Sequence, residues 1–196
     1  MGKILVAYTT NAGSTGKVAE TIARELSQGG LQVDVRRLEE VASLDGYSGV
    51  VVGAPLILGW HRAAIRFIRQ NQLTLSRLPV AYFMTAMSLT CAPGENTGPV
   101  PVSIDPELAK PPKNSQRRSL KERYASVSNY LGPALKAGPT VKPISVGLFG
   151  GKLEIPRLKL WQMLFVLLVI QPQAGDFRNW PFIKAWAASL ARQFTN

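Results

Sequence analysis

Short apolar runs alternate along this chain with segments whose apolar residues recur every three or four positions, and that alternation restricts the fold most. Lys3–Tyr8 is built around Ile, Leu and Val, and Gly49–Ala54 (Gly-Val-Val-Val-Gly-Ala) is apolar throughout. Such runs belong to strands covered on both faces of a parallel sheet. Leu31–Leu38, Pro79–Met87 and Pro143–Phe149 bring the expected strands to five. Between them, Val18, Ile22 and Leu26 mark one helix, ended by Gly29-Gly30, and His61–Gln72 a second with Ile65 and Ile68 inward. A third is expected over roughly 119–137, and Trp180–Phe194 closes the chain with Pro181 in its first turn. Repeated βαβ units demand right-handed crossovers. The expected architecture is therefore α/β, a three-layer doubly wound five-stranded parallel sheet, in a single domain over residues 1–196. A sheet of this kind binds ligands at the carboxyl ends of its strands, near the switch in strand order.

Charge is distributed unevenly. The 23 Lys and Arg against 12 Asp and Glu leave a net charge of +11. Residues 1–100 carry nine basic and seven acidic side chains, whereas 101–196 carry fourteen and five. A basic half attracts something negative: nucleic acid, an anionic membrane or an acidic small molecule. Arg117, Arg118, Lys121 and Arg123 cluster without any nucleic-acid-binding motif, so no specific nucleic acid is expected. The single Cys91 excludes an internal disulfide, and the single His61 excludes a His-rich metal site; no metal is expected and the compartment reads as cytoplasmic. The longest apolar stretch, Met163–Ile170, falls far short of the roughly 20 residues of a membrane-spanning helix.

Two segments depart from the regular plan. One is a Pro-rich insertion at 91–118, containing Pro93, Pro99, Pro101, Pro106, Pro111 and Pro112. The other is a basic-apolar segment at 152–171, where Lys152, Arg157 and Lys159 precede the apolar run with Trp161. It reads either as a buried core helix or as a surface for an anionic membrane or a greasy ligand.

The loop after the first strand, Thr9-Thr10-Asn11-Ala12-Gly13-Ser14-Thr15, leads straight into a helix. Hydroxyls and backbone N–H groups at a helix start suit an anion such as a phosphate, although the same residues also serve as simple caps. It is not a Walker loop, because Asn11 and Val18 stand at its required positions, nor does it contain G-x-G-x-x-G. The spacing Tyr8-x-Thr10-x-x-Gly13-x-Thr15-x-x-x-Ala19-x-x-Ile22 resembles the flavodoxin fingerprint, with Ala7 where that family prefers a larger apolar residue. Gly53-Ala54-Pro55 is similar to the start of the family's second flavin loop.

The resemblance implies a flavodoxin-like fold with FMN as cofactor. It implies that Thr10, Thr15 and the amides of Asn11, Ala12, Gly13, Ser14 and Thr15 hold the phosphate, with Thr9 at the loop's start. The ring would lie between Pro55-Leu56-Ile57-Leu58-Gly59-Trp60 and Thr85-Ala86-Met87-Ser88. Trp60 either offers an aromatic platform or packs the start of the following helix. No side chain identifies itself as catalytic; His61 is the one candidate proton donor, and equally a capping residue.

Within the family, the chain more closely resembles the menaquinone-dependent, membrane-associated protoporphyrinogen oxidases. The resemblance lies in Gly53-Ala54-x-x-x-x-Gly59-x-x-x-x-Ala64, the long segment after the fourth strand, and Gly150-Gly151-Lys152-Leu153-x-x-Pro156-Arg157. Asp176-Phe177-Arg178-Asn179-Trp180 completes it. It implies an FMN-dependent oxidoreductase passing electrons from a hydrophobic or anionic substrate to a quinone, cytoplasmic and peripheral on the inner face of the cell membrane. The alternative is a non-catalytic electron-transfer protein docking on a redox partner. A family member without flavin is the third possibility.

Overall fold

The computed structural model describes residues 2–11, 13–56, 59–92, 100–114, 117–153 and 175–195. Its main sheet contains β1 (Lys3–Tyr8), β2 (Gln32–Arg37), β3 (Tyr47–Pro55), β4 (Val80–Ala86), β6 (Val102–Ile104) and β8 (Pro143–Gly150), while β5 (Leu89–Thr90) pairs with β7 (Ala109–Lys110) outside it. They lie in the order β2-β1-β3-β4-β8-β6, and every neighbouring pair is parallel. The five expected strands are all present, but the sheet has six. The sixth, β6, comes from inside the Pro-rich insertion. Pro101 and Pro106 bracket it, and three residues are too few for a periodic signal. It forms because β8 would otherwise leave an open edge. The Val146 N–H donates to the Pro101 carbonyl and the Asp105 N–H to the Leu148 carbonyl.

Helices cover both faces. On one side α1 (Ser14–Gln28) and α6 (Trp180–Thr195) pack over Ile4, Val6, Val51, Ala81, Phe83 and Phe149. On the other, α2 (Arg62–Gln70), α3 (Gln72–Leu75) and α5 (Val127–Ala137) cover Leu5, Ala7, Val50, Val52, Tyr82 and Met84. Adjacent residues of one strand therefore serve opposite cores, as the two-residue side-chain period of a strand requires.

Two expected helices are divided. Asn71 ends α2 by donating its side-chain amide to the Phe67 carbonyl, and α3 follows. The segment 119–137 splits into α4 (Leu120–Tyr124) and α5. Ser119 and Glu122 form a capping box for α4, and Ser126 caps α5 through the Asn129 N–H. The Ala125 carbonyl between them accepts from the Thr90 N–H, so the break ties the helix pair to β5 (Leu89–Thr90).

The strand order reverses at β1, which lies between β2 and β3. Tyr8 is in register with Gly53, and Pro55 with Thr85. The loops after β1, β3 and β4 therefore emerge side by side at one carboxyl edge.

Candidate functional site

The loop after β1 is shaped by Gly13, whose φ of 85° is left-handed and which stands at the N-cap of α1. Among the described residues no side chain caps this 15-residue helix, and its first turn holds no acidic residue. The Thr10 hydroxyl accepts from the Gly13 N–H at 2.9 Å and folds the loop back on itself. Thr15 is fully buried, with its Oγ1 3.1 Å from Thr85 Oγ1 on β4. Thr9 points elsewhere: its hydroxyl donates to Glu39 Oε1 at 3.0 Å, while its N–H donates to the Gly53 carbonyl. Ser14 sits at the first turn with its side chain half-buried. Ala12 lies outside the described residues.

The second loop begins where β3 ends. The Leu56 N–H donates to the Thr85 carbonyl at 2.8 Å, binding the loop after β3 to the end of β4. Leu56 pairs with Trp60 in an isolated antiparallel bridge, and Gly59 has φ 94°; Ile57 and Leu58 lie outside the described residues. Trp60 is packed into the core, 4% exposed, its indole N–H donating to the Ala54 carbonyl and its ring 5.3 Å from that of Tyr82. Its faces are thus engaged by protein. Trp60→Ala is expected to cost about 3–5 kcal/mol of folding stability, read by urea denaturation. A loss below about 1 kcal/mol would contradict that packing.

On the third loop, Thr85 and Ala86 are buried, whereas Met87 and Ser88 are half-buried. The Ser88 carbonyl accepts the Tyr130 hydroxyl at 2.8 Å. Burial pushes that phenol up to about 12, so it stays a donor at neutral pH. Burial also pushes the phenol of Tyr124 up, opposed by the nearby backbone of Gly59. The helix pair that follows the insertion therefore holds the third loop, through Tyr130 on Ser88 and Ala125 on Thr90.

His61 spans two of the loops. Its Nδ1 accepts the Ala63 N–H at 3.2 Å and caps α2, which leaves the proton of the neutral ring on Nε2, 3.2 Å from Asn11 Oδ1. Burial lowers its pKa below the ordinary 6.5, opposed by the charge of Glu39. The unfolded chain takes up a proton near pH 6.5 that the folded chain resists, so stability falls as pH drops below 6.5 and through the folded value. Being the sole histidine, it gives one imidazole resonance to titrate. A midpoint at or above 6.5 would contradict this geometry.

Two contributors carried no assigned role in the sequence reading. The Arg178 guanidinium, 5% exposed, forks onto the Asp176 carboxylate, stacks 4.5 Å from the Trp180 ring and reaches the Ser14 carbonyl at 3.4 Å. A cation thus stands beside the start of α1, and it holds the Asp176 carboxyl below the usual carboxylate range. Asp105 is fully buried and accepts from the N–H groups of Glu107 and Gly150 and the Asn179 side-chain amide. Gly150 is needed there because a Cβ would lie 1.8 Å from the Phe177 carbonyl oxygen. The spacing Asp176-x-Arg178 was the available signal for the first. Nothing local marks Asp105.

The sequence profile of the flavodoxin domain family matches residues 5–179, spanning all three loops and the Asp176–Arg178 pair. The chain belongs to the flavodoxin domain family. Relatives of this flavodoxin-domain chain include a protein named protoporphyrinogen IX dehydrogenase [quinone] from Escherichia coli K12. It is 23% identical over 201 residues, covering 96% of this chain and 94% of the relative. A protein of the same name from Leishmania major is 24% identical, covering 96% of this chain and 74% of the relative. Among solved structures, the two-electron reduced flavodoxin of Megasphaera elsdenii superposes with a TM-score of 0.54 at 10% identity, covering 96% of this chain and 98% of that one. That likeness concerns the fold. Within the flavodoxin domain seen here, the donors fit a phosphate monoester. They are an uncapped helix start, the adjacent Thr10 and Thr15 hydroxyls and a first turn without carboxylates.

Proposed function

We propose that this chain is an FMN-dependent oxidoreductase that dehydrogenates a hydrophobic, carboxylated substrate of the protoporphyrinogen type and passes the electrons to a quinone. The observation that carries this reading is the similarity to proteins named protoporphyrinogen IX dehydrogenase [quinone], which runs over 96% of the chain and so includes the insertion and the closing helix. FMN supplies the hydride and electron chemistry when bound. The protein's part is binding, orientation and exclusion of water.

Thr10, Thr15 and the first amides of α1 hold the phosphate, with Arg178 adding positive potential through its place at Ser14. Leu56 and Thr85 lock the two ring loops together, and Tyr130 braces the second of them through the Ser88 carbonyl. The Asn11–His61 contact joins the phosphate loop to the ring loop, and the Nε2 proton of His61 is held between them. Association with an anionic membrane through 156–171 belongs to the same proposal; those residues lie outside the described part of the chain. Among the described residues, no helix is long and apolar enough to cross a membrane.

The test starts with the visible spectrum of the purified chain, followed by steady-state oxidation of protoporphyrinogen IX with a menaquinone analogue. Flavin absorbance and turnover are expected. Absence of flavin even after incubation with FMN would remove the cofactor assignment. Flavin without turnover, combined with one-electron exchange with a protein partner, would establish the carrier instead.

A further inference from the structure

From Gly46 to Gly94 the chain contains four arginines, no lysine and no acidic residue. Three of the arginines, Arg62, Arg66 and Arg69, stand on α2 at intervals of four and three. Helix geometry gathers them into an arc of about 60° along about 10 Å of the axis. All three are exposed, while Ala64, Phe67 and Ile68 turn to the core and are buried. Among the described residues, none of the three guanidinium groups has a hydrogen-bond or ion-pair partner. On α3, four positions beyond Arg69, Leu73 is 75% exposed.

The surroundings do not neutralise this stripe. α2 packs against α3, α5, β3 and the turn Leu38–Glu40, and of these only the turn carries carboxylates. Both are engaged elsewhere. Glu39 accepts the Thr9 hydroxyl and lies 3.8 Å from the Arg37 guanidinium, and Glu40 accepts the Arg37 N–H. Like charges one helical turn apart destabilise a helix, so the row brings no benefit to folding. Its first member adjoins the site: Arg62 follows His61, which caps α2 and reaches Asn11 on the phosphate loop.

We propose that the outer face of α2 is a docking surface for a protein that presents a row of carboxylates. Each guanidinium offers a planar fork that fits a carboxylate with two parallel hydrogen bonds. A partner so docked sits beside the loop that leads from β3 into α2, at the carboxyl edge of the sheet. The apolar side of α2 is taken up by the core, so the helix has no apolar face to sink into a bilayer. Leu73 at the end of the row offers an apolar contact that a protein surface uses and a phosphate backbone does not. The surface is independent of which substrate the flavin oxidises.

The test uses the FMN-loaded protein and a fluorescein-labelled helical peptide with its glutamates in one stripe, followed by fluorescence anisotropy. A peptide of the same composition, with its glutamates scattered round the helix, is the comparison. R62Q/R66Q/R69Q is expected to raise the Kd for the striped peptide by about tenfold or more, the combined effect of three surface pairs. R24Q/K184Q/R192Q removes the same charge from α1 and α6, on the other face of the sheet. It should change that Kd by less than about twofold, because distant surface charges are screened. R62K/R66K/R69K should recover only part of the affinity. All six positions are exposed, so flavin content and thermal midpoint should stay unchanged and report intact folding. Equal binding of the two peptides, equal loss in the two glutamine triples, or no peptide binding by the wild-type protein overturns the proposal. So does stripe-dependent binding of phosphatidylglycerol vesicles or of a DNA oligonucleotide without stripe-dependent binding of the peptide. The first would make the face a membrane contact, the second a nucleic-acid one.

Discussion

Thr15→Val is expected to weaken FMN binding by about tenfold or more, the scale of one lost hydrogen bond to a charged group. Valine has nearly the same shape as threonine, so the substitution removes a hydroxyl and little else. That hydroxyl stands at the uncapped start of α1, the place where donors converge on a phosphate. It is also paired with Thr85 inside the protein, at 3.1 Å. Removing it leaves the Thr85 hydroxyl buried without that partner, which costs about 1–3 kcal/mol of stability.

The two effects can be separated. In the double variant T15V/T85V both hydroxyls are gone, and exchanging a hydrogen-bonded pair for two apolar groups of the same shape is close to neutral. Stability should recover in the double variant while FMN affinity stays low. Titration of the flavin-free protein by quenching of FMN fluorescence gives the affinity, and urea denaturation gives the stability. An affinity for Thr15→Val within about twofold of the wild-type value, less than half a kcal/mol, would remove Thr15 from the phosphate cradle.

Asp105→Ala is expected to cost about 3 kcal/mol or more, the largest stability loss of any polar substitution proposed here. The carboxylate has no solvent exposure and satisfies three donors from three parts of the chain: Glu107 beside it, Gly150 at the end of β8 and Asn179 before α6. Alanine strands all three. The effect should spread, because Asn179 also accepts the Phe182 N–H through its Oδ1 and so sets the first turn of α6. Asp105→Asn should recover only part of the loss, since its amide group turns a donor toward donors. Urea denaturation of the flavin-free protein measures both. A loss below about 1 kcal/mol for Asp105→Ala would mean that the carboxylate is not the tie between the inserted strand and the closing helix.

The β1–loop–α1 unit shows how much of such a site is legible in the chain itself. A strand covered on both faces leaves no polar position to confuse the pattern, and Ile4, Leu5, Val6 and Ala7 are all buried as that pattern requires. The helix repeats Val18, Ile22 and Leu26 on one stripe, and all three are buried. Gly13 between them takes the left-handed conformation that only glycine adopts readily. These signals are local, confined to a few neighbouring residues. Trp60 shows the opposite case. Its position in the loop was readable, whereas the direction of its ring depends on Ala54 and Tyr82, which its neighbours in sequence do not reveal.

By itself, then, the amino-acid order determined the parallel α/β framework, five of its six strands and the turn from β1 into α1, because periodicity and turn chemistry act over a few residues. Only the tertiary structure decided that three residues between prolines complete the sheet, that a buried aspartate joins them to the last helix, and that Arg178 comes to rest at Ser14, 164 positions away. Those outcomes are settled by which edge is open and which buried donor lacks an acceptor. Both conditions arise only once distant segments have packed together.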